Sequence, residues 1–119
     1  MSIPDEQIVE QLRKQYPDAQ LIGDSYAMQI LWVREDFARF FGYTPEEVIG
    51  KPVMRYLPEM TNREFFEITS STKPGETRDV KMTILAADGS PVELVRTLTR
   101  IDIGSGVYWV GRGDFPGKK

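Results

Sequence analysis

The C-terminal third of this 119-residue chain alternates apolar with polar residues, and that alternation constrains its fold more than any other feature. In "TRDVKMTILAADG", Val80, Met82 and Ile84 alternate with Asp79, Lys81 and Thr83, the period of a half-buried strand. Asp88-Gly89 follows, a strong tight-hairpin signal. "PVELVRTLTRIDI" alternates again, with Val92, Leu94 and Leu98 on one side and Val95 and Ile101 on the other. Gly104-Ser105-Gly106 then turns the chain into "VYWVGRGDF". Strands joined this tightly form an antiparallel meander, and one face of it needs a cover from upstream residues.

The upstream segments supply that cover in short pieces. "SIPDEQIVEQLRKQY" opens with Pro4 and acids in a first helical turn, and Ile8, Val9, Leu12 and Tyr16 recur at helical spacing. "AQLIGDSYAMQILWV" reads as a short hairpin from Ala19 to Val33, its turn between Gly23 and Ala27. In "REDFARFFGY", Phe37, Phe40 and Phe41 stand at i, i+3 and i+4 and so share one helix face, with Gly42 as the stop. "TPEEVIG" carries a full capping box, Thr44 with Glu47, with Pro45 at the first helical position and Gly50 at the end. "KPVMRYLPEM" reads as loop with one helical turn at most. "TNREFFEITSST" predicts a helix carrying Phe65, Phe66 and Ile68, capped by Thr61 with Glu64 three residues on. The fold class expected is α+β, a five-stranded antiparallel sheet with a cluster of short helices on one face and an N-terminal flanking helix.

Composition narrows function by exclusion. The chain has no cysteine and no histidine. It therefore forms no disulfide, offers no thiolate nucleophile, and lacks the usual general base near neutral pH. The usual proximal haem ligand is missing too, as is any anchor for a cysteine-linked chromophore. A net charge of −3 with scattered Lys and Arg argues against nucleic acid. No apolar run approaches membrane-spanning length, and the N-terminus is acidic rather than signal-like, so the expected location is the cytoplasm. Arg112-Gly113-Asp114 reads as a strand end rather than an adhesion motif. Glu46-Glu47 is explained by its cap, and Asp88, Asp102 and Asp114 lack EF-hand spacing. No catalytic constellation stands out, and a non-enzymatic role is expected.

The element order and the helix-cluster motif together resemble the PAS domain family. Members typically show two strands, short helices and a three-stranded meander. Their helix cluster commonly carries a Phe, then Gly-Tyr, Ser/Thr-x-Glu-Glu, an aliphatic pair and Gly-Lys. Phe37, Gly42-Tyr43, Thr44-Pro45-Glu46-Glu47, Val48-Ile49 and Gly50-Lys51 match that run, and Asp88-Gly89 matches the family's usual hairpin. Gly111 and Asp114 resemble the small residue and Asp that often close the last strand. The resemblance covers residues 19–115, with residues 1–18 as a cap helix and 116–119 as a tail. Two departures stand out. Arg34 occupies a place where Asn is common, and Pro116-Gly117 stops a helix from growing out of the last strand.

The resemblance implies a sensory domain of a signalling protein, one that binds a small organic ligand, dimerises, or does both to regulate an output. The pocket expected between helix cluster and sheet is lined by Phe37, Phe40, Val53, Leu57, Phe66, Met82, Ile84, Leu94 and Trp109, with Arg34 and Arg96 as its polar groups. Arg96 stands between Leu94 and Leu98 on the inward phase of its strand. An inward arginine needs a carboxylate, from the protein or from a ligand, unless a bulge turns it outward or Glu93 or Asp79 pairs with it. The N-terminal helix is expected to pack through Ile8, Val9, Leu12 and Tyr16, on the outer sheet face or on a second protomer of a homodimer. A ligand-free assembly module is the alternative. A further one is a non-covalent flavin flanked by Trp32 and Trp109.

Overall fold

The computed structural model describes residues 4–114, so the 116–119 tail and the Pro116-Gly117 stop lie outside the described residues. The chain runs α1 (Asp5–Gln15), β1 (Leu21–Asp24), β2 (Gln29–Val33), α2 (Glu35–Phe40), α3 (Pro45–Val48), a 3₁₀ turn (Val53–Tyr56) and α4 (Asn62–Ser71). β3 (Thr77–Leu85), β4 (Pro91–Ile103) and β5 (Gly106–Arg112) complete it. One five-stranded sheet has the order β2-β1-β5-β4-β3, every neighbour antiparallel. The C-terminal meander of the sequence reading is present. β5 lies at the sheet centre, where the first hairpin joins it through β1.

β5 shows how the two faces divide. Its residues 107–111 are all buried, on both faces. Tyr108 and Val110 face α1, packing with Ile8, Leu12, Ala19 and Ile22. Trp109 faces the helix cluster instead. A strand covered on both sides loses alternation and reads as a continuous apolar run.

β2 reaches both layers through a register shift. Ile22 pairs with Trp32 while Gly23 pairs with Ile30, so Leu31 is the extra residue of a bulge. In a regular strand Ile30 and Val33, three apart, face opposite sides. The bulge restores the phase, and both join the inner core while Leu31 and Trp32 join the outer cluster.

The short helices persist because their ends are fixed. Thr44 and Thr61 each accept the N3 backbone N–H, and Glu47 and Glu64 each accept the cap residue's N–H. Each such cap contributes about 1 kcal/mol. The Glu64 carboxyl is held below its ordinary value by the Thr61 N–H and then by the Thr61 hydroxyl. Gly42 and Gly50 end their segments at φ of 86° and 88°, a region glycine enters without steric cost. The stretch after α3, read from sequence as loop, does more than connect. Ile30 donates to Lys51 O, Gly50 to Ile30 O and Val53 to Met28 O, so residues 50–53 close the free edge of β2.

α1 resolves one open alternative. Ile8 and Leu12 are fully buried on the chain's own outer sheet face, with Val9 and Tyr16 packed beside them. As dimer contacts, Ile8 and Leu12 are therefore corrected. Tyr108 and Val110 already take up their apolar surface, leaving none for a second protomer.

Candidate functional site

An apolar cavity of about 60 Å³ lies between the helix cluster and the inner sheet face. α2 supplies Phe37 and Ala38, followed by Phe41. Val48, Val53, Tyr56 and Leu57 close the helix side, and Phe65 enters from α4. The sheet contributes Leu21, Ile30, Val33, Met82, Ile84, Arg96, Leu98, Trp109 and Gly111. Edge-to-face ring pairs brace the wall: Phe37 with Phe41 at 5.1 Å and Phe65 with Trp109 at 5.6 Å. Trp109 packs against Gly23, where a Cβ would stand 2.1 Å from ring carbon Cζ2.

The polar groups of the wall are few. Tyr43 donates to Leu85 O at 2.8 Å, and Tyr56 to Glu47 O at 3.5 Å. Burial pushes both phenols up from their ordinary value. Trp109 Nε1 is buried without a hydrogen-bond partner among the described residues.

Among the described residues, Arg96 is the one charged residue on the wall. It points inward as its strand phase predicts, with 2% of its surface exposed. Its Nε donates to Val95 O at 3.2 Å, Nη2 to Asp114 O at 2.6 Å, and Nη1 to Gln20 Oε1. The guanidinium also lies 5.1 Å from the Phe37 ring centroid, within cation–π range. Burial pushes its pKa down, opposed by the Asp114 charge. The carboxylates considered from sequence are engaged elsewhere: Glu93 pairs with Lys81 and Asp79 accepts from Thr97.

Of the expected lining, Phe37, Val53, Leu57, Met82, Ile84, Arg96 and Trp109 meet at the cavity. Phe40 does not. It is 45% exposed, because the helix turns Phe37 and Phe41 inward and leaves the i+3 position on the rim. Phe66 is also 45% exposed, and its neighbour Phe65 takes the inward place. The buried stripe of α4 is Phe65 and Thr69, continued by Thr72 just past its end. The two threonines satisfy their hydroxyls on Phe65 O and Ile68 O and so occupy core positions that hydrophobicity alone misses. Leu94 is buried in the same core, opposite Met82, but off the cavity wall. Arg34 lies outside altogether. It precedes α2 and forms a bidentate pair with Asp36 at 2.6 and 3.1 Å, which holds the Asp36 carboxyl below its ordinary value.

Flavin does not fit this site. Trp32 belongs to the outer cluster, under the Arg13 guanidinium at 4.6 Å, while Trp109 is on the inner face. The sheet separates the two rings that were to flank an isoalloxazine. The cavity is also far below the roughly 300–1,000 Å³ of ligand clefts. Among the described residues no cluster of carboxylates is placed to hold a metal ion. No helix among them is long and apolar enough to cross a membrane.

A five-stranded antiparallel sheet with short helices over its inner face and a small apolar cavity between them defines an α+β module. The PAS fold family model matches residues 26–113, and the chain belongs to the PAS family. Among solved structures, it is similar to the PAS domain of an HTR-like protein from Haloarcula marismortui. The TM-score is 0.69 at 21% identity, covering 90% of this chain and 95% of that one. It is similar to the PAS domain of nitrogen regulation protein NR(II) from Vibrio parahaemolyticus, at TM-score 0.58 and 15% identity over 96% and 100% of the two chains. A light-oxygen-voltage domain studied with a flavin analogue matches at TM-score 0.59 and 20% identity, over 92% and 86%. No curated protein matches the chain. At these identities the likeness is one of fold.

Proposed function

We propose that this domain is the non-enzymatic sensor of a cytoplasmic signalling protein and that its ligand is a small organic molecule held in the inner-face cavity. The observation that carries the reading is the cavity itself, enclosed by the helix cluster and walled by one buried cation. Occupancy biases the arrangement of α2, α3 and α4 against the sheet. A ligand shifts that equilibrium only by its difference in affinity for the two arrangements. The absence of His and Cys supports a role without catalysis.

A second reading draws on the size of the same cavity. About 60 Å³ is close to a filled core, as in a constitutive assembly module. Absorbance and native mass spectrometry of the purified protein separate the two. The sensor reading expects a colourless protein whose native mass exceeds the bare chain by a small adduct, lost on denaturation. A bare-chain mass that stays unchanged after incubation with short-chain acids, amides and alcohols favours assembly.

A further inference from the structure

The sheet has two edge strands, β2 and β3, and the chain closes them unequally. Residues 50–53 bond along β2. β3 uses its even-numbered residues to bond β4: Ala86 N donates to Ser90 O and Arg100 N to Glu76 O, in the register that sets Val80 opposite Arg96. Antiparallel alternation then turns the N–H and C=O of Thr77, Asp79, Lys81, Thr83 and Leu85 away from the sheet. The far end of that row is covered. Tyr43 donates to Leu85 O, and Thr83 is buried with its hydroxyl on Glu59. The near end is open. Thr77, Asp79 and Lys81 are exposed, and among the described residues no hydrogen bond reaches the outward backbone groups of Asp79 or Lys81.

We propose that this edge is a homodimer contact, on which β3 of a second copy pairs antiparallel about a two-fold axis at Val80. The side chains beside the edge select that occupant. The segment "TRDVKMT", residues 77–83, is self-complementary in this register. Asp79 stands opposite Lys81 of the second copy, Thr77 opposite Thr83, and Val80 opposite Val80. Opposed residues share a face, so both Asp–Lys pairs meet on the outer face, where opposite charges stabilise. Each of those pairs also exchanges its N–H···O bonds across the edge. Sliding the second copy two residues either way sets Asp79 on Asp79 or Lys81 on Lys81, which repels. Sliding it by one turns its side chains to the wrong faces. Charge on an edge strand ordinarily prevents pairing. Here it rejects other strands and other registers and admits one. Contacts within the chain already hold the two side chains on the outer face: Lys81 lies 3.4 Å from Glu93, and Asp79 accepts from Thr97. The contact is separate from α1 and does not depend on the cavity being a ligand site.

The test is sedimentation of the purified protein at low salt, from about 10 µM to about 1 mM, the range a small interface demands. Amide exchange is followed over the same concentrations. The wild type is expected to dimerise with concentration and to protect the Asp79 and Lys81 amides as it does so. Asp79→Lys and Lys81→Asp each set like charges opposite one another and are expected to weaken association about tenfold. The double variant Asp79→Lys/Lys81→Asp rebuilds both pairs and is expected to recover the wild-type constant. The amide measurement needs no variant, so a poorly folding reversal leaves the question decidable. A wild type that stays monomeric throughout overturns the proposal. So does a dimer whose protected amides lie away from β3, or one that both single reversals leave unchanged. A double variant as weak as the single ones overturns the pairing of Asp79 with Lys81.

Discussion

The two faces of the sheet are covered by different strategies. On the outer face a single helix places Ile8 and Leu12 against Ile22 and Val110, all four fully buried. On the inner face short helical pieces, held by capping boxes and glycine stops, surround a cavity and a buried guanidinium. The outer layer is closed and apolar at its centre. The inner layer is larger, assembled from parts, and has a small cavity and a buried, hydrogen-bonded arginine at its centre. Tight packing leaves no second arrangement to select, whereas capped pieces around a cavity have one within reach. On the proposed sensor reading, response belongs to the inner face and rigidity to the outer.

Truncations break the comparison most directly. Phe65→Ala on the inner side is expected to cost about 3–5 kcal/mol and Leu12→Ala on the outer side about 2–5 kcal/mol in urea denaturation. Their effects on binding should diverge. Phe65→Ala enlarges the cavity and is expected to extend the range of small organic molecules it takes toward longer ones, while Leu12→Ala leaves that range unchanged. If Leu12→Ala alters the range as much as Phe65→Ala does, the two faces are not independent.

Gly23→Ala probes where the faces meet. Its Cβ would fall 2.1 Å from Trp109, so the ring must move, at a cost of about 1–3 kcal/mol by overpacking. The same ring forms part of the cavity wall, and a stable Gly23→Ala protein is expected to bind a small molecule held there more weakly. Smaller again are the caps. Thr44→Ala and Thr61→Ala should each cost about 1 kcal/mol and, if the inner helices are the movable parts, raise amide exchange in α3 and α4 rather than in α1.

High pH gives the least selective effect. Burial raises the pKa of Tyr43 and Tyr56 on the inner side and of Tyr108 on the outer. Above about pH 10 the unfolded chain releases these protons while the folded protein holds them. Stability from these groups is therefore whole below that pH and falls as pH rises through the folded values. The urea midpoint should decline above about pH 10, and a flat midpoint there contradicts the burial of all three.

The C-terminal meander, both capping boxes and the inward phase of Arg96 are legible in the sequence because each depends on local spacing, whereas the pairing of β1 with β5 is not. Alternation set Leu94, Arg96 and Leu98 on one side, and Thr-x-x-Glu set the helix starts. What was not legible depended on tertiary fit. Which residue of the Phe40-Phe41 and Phe65-Phe66 pairs faces inward is decided by helix rotation against the sheet. Thr69 and Thr72 entered the core because backbone carbonyls accept their hydroxyls. The bulge at Leu31 and the closure of the β2 edge by residues 50–53 leave no periodic trace, and the bulge is what separates Trp32 from Trp109. Arg96's neutral partners were out of reach for the same reason, since Gln20 is 76 residues away in sequence.

The most direct measurement is amide and indole shift mapping of the wild-type protein titrated in turn with short-chain acids, amides and alcohols. A ligand held in the cavity is expected to give shifts clustered around Phe37, Phe65 and Trp109, with α1 unmoved from Asp5 to Gln15. Shifts centred on α1 and the outer face, or none at the highest concentration of any of these probes, would contradict the sensor reading.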